Sequence, residues 1–135
     1  LTYRSLRAMN QAARKEFRLK STVTGGNLVT TQSTLGTPWQ MAGDGKIIFL
    51  EEIGERGYKV DRLLEHLTLS KTFKKAKAVV FGPFVGGDEP KGGNRVTRVL
   101  QDFADRSTIP VFRGLASGHI PNSLSLPMNT PALLS

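Results

Sequence analysis

The sequence predicts an α/β fold, a layered sheet with a mostly parallel βαβαβ core. Three observations carry that prediction. Three short apolar runs, Lys46–Glu51, Ala78–Phe81 and Ile109–Phe112, have strand length and β-branched content. Runs that are apolar at nearly every residue read as strands covered on both faces. Between them the period changes: Val60, Leu63, Leu64 and Leu67, then Val96, Val99, Leu100 and Phe103, fall at i, i+3, i+4 and i+7. That spacing is one face of an amphipathic helix. Strands alternating with helices imply parallel pairing through right-handed crossovers.

The elements follow in chain order. Residues 1–20 carry helical spacing at Leu6, Met9 and Ala13 but are otherwise polar, so they read as a peripheral helix or a linker. Thr24-Gly25-Gly26-Asn27 reads as a turn, Leu28–Leu35 as a polar and β-branched stretch, and Gly36-Thr37-Pro38 as a second turn. Gly43-Asp44-Gly45 leads into the first strand. A helix is expected from Tyr58 to Leu69. The second strand is expected to stop at Gly82-Pro83, and a Gly-rich loop runs from Gly86 to Gly93. The second helix and the third strand follow, the strand ended by Gly114. In such sheets, sites collect beyond the carboxyl ends of the strands. Glu51, Gly82 and Gly114–His119 all lie there.

Composition narrows the function. The 135 residues make one ordinary domain, long enough to bury a core without staples. There is no cysteine, which removes disulfides, thiolate metal sites and cysteine nucleophiles and fits a cytoplasmic protein. No apolar run approaches the roughly 20 residues of a membrane span. The chain begins at Leu1, so the lack of a leader says little about the parent protein. The net charge of +8 favours anionic partners. Its basic clusters, Arg4–Lys20 and Lys71–Lys77, hold few interleaved aromatics, which argues against a nucleic-acid surface.

The candidate chemistry is sparse. Glu51, Glu52 and Glu55 crowd a strand end, where a carboxylate must be solvated, paired or employed. Glu51 adjoins the apolar run and is expected to be partly buried. Glu52 and Glu55 read as a solvated loop capping the helix near Tyr58. His119 sits between Gly118 and Ile120-Pro121; by itself a loop histidine can be structural, exposed or catalytic. His66 lies at a polar helix position. The Gly86–Gly93 loop lacks G-x-x-x-x-G-K-[ST], so it reads as a crossover loop rather than a phosphate cradle. With two histidines far apart, no zinc site is expected. No serine sits in a G-x-S-x-G elbow.

Taken in order, several motifs resemble one family. They are GGNL (Gly25–Leu28), LGTP (Leu35–Pro38), GKIIFLEEIGE (Gly45–Glu55), YKVDRLL (Tyr58–Leu64), VVFGPF (Val79–Phe84), IPVFRG (Ile109–Gly114), SGH (Ser117–His119) and SLPM (Ser125–Met128). Together they are similar to the C-terminal domain of the LD-carboxypeptidases, the muramoyl-tetrapeptide carboxypeptidases and microcin C immunity peptidases. Asn129 stands where the family often has glycine; asparagine is the next best residue for a left-handed turn.

The resemblance implies an LD-carboxypeptidase C-terminal domain over residues 21–135. Residues 1–20 would enter it from an N-terminal domain that carries a serine nucleophile and an oxyanion hole. It implies that Glu51 and His119, 68 residues apart, are the acid and base of a Ser-Glu-His triad. Asn27 and Gly118 are the implied substrate-binding residues. The implied substrate is a muropeptide losing its terminal D-alanine in peptidoglycan recycling. No cofactor, metal, nucleic acid or membrane is implied; a homodimer is left open. The other reading is a non-catalytic module that binds a muropeptide or a protein partner.

Overall fold

The run Ile47–Leu50 disappears from solvent on both sides, and the rest of the fold is arranged around it. The computed structural model describes residues 2–3, 6–15 and 18–134, with backbone pairing alone for residues 2 and 3. In chain order the strands are β1 (Thr2–Tyr3), β2 (Arg7–Ala8), β3 (Leu19–Asn27), β4 (Ile47–Ile53), β5 (Ala78–Val85), β6 (Val111–Arg113) and β7 (Pro131–Leu134). The helices are α1 (Gln11–Lys15), α2 (Leu28–Ser33), α3 (Gly57–Leu69) and α4 (Val96–Arg106).

They form one mixed sheet in the order β1-β7-β3-β4-β5-β6-β2. Its centre, β3-β4-β5-β6, is parallel throughout. β7 lies antiparallel on β3, and β2 antiparallel on β6. Successive side chains of a strand point to opposite faces. Ile48 and Leu50 therefore join the cluster under the helices, with Leu28, Leu64, Leu67 and Phe103. Phe103 meets Phe73 and Phe81 edge-on at centroid distances of 5.1 and 5.6 Å. Ile47 and Phe49 join the other face, closed by Ala13, Leu115, Ala132 and Leu134. Each fully buried Leu or Phe contributes roughly 1.5–3 kcal/mol relative to exposure.

Several sequence expectations change. The Thr24–Asn27 turn is the carboxyl end of β3, paired as far as Asn27 with Glu51. Gly25 in it serves close approach rather than reversal. Gly25 sits at φ 113, and a Cβ there would collide with the Phe49 carbonyl oxygen. The stretch after it is a helix, α2, because Asn27 caps it: Oδ1 accepts from Thr30 N at 3.0 Å, satisfying an otherwise unpaired amide. β5 does not stop at Gly82-Pro83 but runs to Val85. Leu50 pairs with Phe81 and Glu52 with Phe84, so Gly82 and Pro83 together oppose Glu51. That is a β-bulge, which accommodates a proline that cannot donate to the ladder. The left-handed turn expected at Asn129 is present, at φ 55.

The N-terminal stretch is also built in where it is described. Met9 and Ala13 are buried. Asn10 caps α1 through Ala13 N, and its amide donates to Ala104 O and Ile109 O. A boundary at residue 20 falls inside β3. The part of that expected linker or helix on residues 1, 4–5 and 16–17 lies outside the described residues.

Candidate active site

The site forms where β3, β4 and β5 end. β4 carries its apolar alternation one step past Leu50, so Glu51 and Glu52 are aimed to opposite faces of the sheet. Both are 4% exposed. A buried carboxylate is costly unless it is hydrogen-bonded, and each meets that demand differently.

Glu51 points to the face bordered by the loop after β6. Its Oε2 lies 2.8 Å from His119 Nδ1 and accepts from His119 N at 3.3 Å. The bulge opposite Glu51 falls at the position where such irregularities re-aim a side chain. The loop approaches so closely that only glycine fits at Gly118. Its φ is 126, and a Cβ there would stand 2.6 Å from Glu51 Oε2. Gly118 N donates to Ser123 Oγ at 2.9 Å, and Leu124 N to Ala116 O at 2.8 Å, which closes the loop on itself. The acid is inside and the base outside: the Glu51 side chain is 6% exposed, that of His119 51%.

Electrostatics follow the geometry. The hydrogen bond to Glu51, and then the charge of Glu51, hold the His119 pKa above its ordinary 6.5. Slight desolvation opposes the rise and the charge of Glu52 adds to it. A carboxylate on Nδ1 selects the tautomer with the proton there, leaving Nε2 as a lone-pair base directed away from the acid. That arrangement can take a proton from a hydroxyl and hand it to a leaving group. No serine hydroxyl among the described residues hydrogen-bonds the ring.

Glu52 points to the helix face. Its Oε1 accepts from Asn27 Nδ2 and from Ile53 N, each at 2.8 Å, and its Oε2 accepts from Val29 N at 2.9 Å. It therefore closes the amino end of α2 and ties it to β4. The solvated loop role expected for Glu52 is corrected: a side chain one step past a buried strand residue returns to the core face, here beneath α2. The available signal was the alternation itself together with Asn27. Glu55 does sit before α3, paired with Lys59 at 2.6 Å. His66 is exposed and lies 2.8 Å from Gln32 Nε2 through Nδ1. Asn27 stands beside Glu51 in the sheet but spends Oδ1 on Thr30 and one amide hydrogen on Glu52. The structure thus brings Glu51, His119 and Gly118 together, with Asn27 one strand away.

Known proteins match the same region. The LD-carboxypeptidase C-terminal domain family matches residues 20–134. A putative carboxypeptidase of Rickettsia conorii is 35% identical over 119 residues, covering 88% of this chain and 36% of that protein. A probable murein peptide carboxypeptidase of Bacillus subtilis is 31% identical over 113 residues, 82% of this chain and 35% of its own length. The crystal structure of muramoyltetrapeptide carboxypeptidase from Oxalobacter formigenes superposes with a TM-score of 0.78 at 34% identity, covering 86% of this chain and 41% of that one. The chain thus spans little more than a third of the curated relatives it matches. By sequence and by fold, it belongs to the LD-carboxypeptidase family and corresponds to that family's C-terminal domain.

Proposed function

We propose that this domain supplies the acid and base of a Ser-Glu-His triad in a serine LD-carboxypeptidase that removes terminal D-alanine from muropeptides. The observation that carries the reading is the 2.8 Å contact between a buried Glu51 and a half-exposed His119. In this reading a serine Oγ from an N-terminal domain attacks the carbonyl of the L-to-D peptide bond as His119 Nε2 takes its proton. His119 then protonates the departing D-alanine nitrogen, and water releases the acyl group by the reverse proton path. Glu51 stabilises the imidazolium formed in between.

Further features support the reading. Ile53 and Val85 are neighbours at the ends of β4 and β5, 47% and 37% exposed, an apolar pair at the edge that a serine-bearing domain would have to approach. Asn27 keeps a second amide hydrogen, and Gly118 lines the Glu51–His119 contact, so both border the expected position of the peptide. The basic chain suits an anionic muropeptide. Absence of cysteine fits a cytoplasmic setting for recycling, and no described helix is long and apolar enough to cross a membrane.

The test uses both forms of the protein. The 135-residue chain alone should show no turnover of an L,D-tetrapeptide, because the nucleophile and oxyanion hole lie elsewhere. Turnover by the pure chain overturns that part. In the full-length protein, His119→Ala should abolish most of kcat/KM while leaving thermal unfolding nearly unchanged. A fully active His119→Ala protein would remove the triad reading.

A further inference from the structure

On the helix face, with Glu51 and His119 outside its lining, a cavity of about 410 Å³ opens between β2, the carboxyl ends of β5 and β6, and the start of α4. Its volume lies within the roughly 300–1,000 Å³ typical of small-molecule clefts. Arg7 and Arg113 both line it. They are direct partners across the antiparallel β2–β6 pair, so they share a face, and like charges placed opposite one another destabilise a sheet. Among the described residues neither guanidinium has a carboxylate within salt-bridge distance, and no Asp or Glu lines the cavity.

The remaining walls add to the positive potential. Thr97 belongs to the first turn of α4, whose start carries no acidic residue and whose cap position, Arg95, makes no side-chain cap. The amino end of a helix is the positive end of its dipole. Asn94 lines the cavity as well. Its Oδ1 accepts from Val96 N, and its amide is tied to Gly86 O and to exposed Asp88, which stands outside the lining. Phe84 and Leu100 supply an apolar wall.

We propose that this cavity binds a phosphate-class dianion carried on a small organic ligand, with Arg7 and Arg113 as the paired recognition groups. Two guanidinium forks side by side match the several oxygens and the double charge of a phosphomonoester better than the single charge of a carboxylate. The apolar wall would take the organic part. This inference stands apart from the peptidase reading, since neither Glu51 nor His119 takes part.

The experiment is a titration of the isotopically labelled chain followed by its amide resonances, at pH 8 and constant ionic strength. The probes are inorganic phosphate, phenyl phosphate and acetate. Saturable shifts are expected at Asn94, Thr97 and Arg113 with both phosphates, phenyl phosphate binding at least as tightly. Arg7→Gln and Arg113→Gln should each weaken binding by about tenfold, equivalent to about 1.4 kcal/mol, and the double variant should abolish it. Should Arg7→Gln fray β2, Arg7→Lys keeps the charge and removes only the fork, and it should still weaken binding measurably. Lys74→Gln, at the other end of the molecule, should change nothing. Shifts that never saturate, a double variant that binds as before, or a Lys74→Gln variant weakened equally would each overturn the site in favour of a diffuse basic surface. Acetate bound as tightly as phosphate, or phenyl phosphate excluded, would overturn the ligand class.

Discussion

Glu51 and Glu52 are adjacent in sequence and equally buried, yet they belong to different parts of the molecule. Glu51 faces a loop and holds a half-exposed histidine; Glu52 faces the helices and holds three donors from Asn27, Val29 and Ile53. What separates them is the two-residue period of β4 alone. A one-residue slip in register would exchange their roles completely. The lesson is that burial of a carboxylate does not mark chemistry. The partner does: a group that can cycle its proton on one side, fixed backbone and amide donors on the other.

The sharpest way to break the comparison is to neutralise each acid in the full-length protein. Glu51→Gln replaces an acceptor by an amide that can donate to Nδ1 and so favours the wrong imidazole tautomer. The corresponding change in serine triads costs about 10⁴-fold, or roughly 5.5 kcal/mol of transition-state stabilisation. It should be strongly non-additive with His119→Ala, because both disable one proton-transfer unit. If kcat/KM for a tetrapeptide falls as far with Glu52→Gln while Glu51→Gln stays active, the assignment is off by one residue.

Gly118 offers a milder disturbance of the same contact. In Gly118→Ala the new methyl must enter space 2.6 Å from Glu51 Oε2 on a backbone at φ 126. Either the loop or the acid has to move, and a misplacement of about 1 Å can cost on the order of 10²-fold in rate. Full activity in that variant would show that the loop relaxes without disturbing the pair.

Glu52→Gln should reverse the pattern, sparing the rate and taxing the fold. The carboxylate accepts three hydrogen bonds, whereas an amide offers one oxygen and turns an N–H toward a donor. Leaving buried donors unpaired costs about 1–3 kcal/mol, which should lower the urea midpoint of the isolated domain. Unchanged stability would mean that α2 is held by Asn27 and packing alone.

These roles were unevenly legible in the sequence. β4, α3, β5 and α4 could be read because buried strands and one-sided helices impose strong periods on Ile47–Leu50, Val60–Leu67 and Val96–Phe103. β3 could not. Its sequence LKSTVTGGN is half polar, only some of its residues are buried, and Gly25-Gly26 mimics a turn although Gly25 answers to the carbonyl of Phe49. α2 is six residues long and rich in β-branched residues, so its helix comes from its Asn27 cap and from Glu52, a partner 23 residues away from Val29. In the same way Glu51 could be singled out by its place after an apolar run and by family resemblance, but its contact with His119 spans 68 residues and no local pattern encodes it.

The smallest effect is the most direct readout of the pair, and it needs only this chain. The hydrogen bond and charge of Glu51 raise the His119 pKa above 6.5, with a lesser contribution from Glu52. A raised folded value means that the protonated pair stabilises the fold below pH 6.5, and that this contribution is lost as pH rises through the raised value. For catalysis the sign is opposite. His119 must be neutral to act as base, so in the full-length protein the acid limb of kcat/KM should be displaced upward from the ordinary histidine value of 6.5. Following the His119 ring protons by NMR against pH, Glu51→Gln should bring the midpoint down toward 6.5. Glu52→Gln should lower it less, because it acts only through space and from the far side of β4. Equal shifts from the two variants would mean that the ring senses the local negative charge rather than a hydrogen bond to one acid, and the division of labour between the two faces would lose its electrostatic basis.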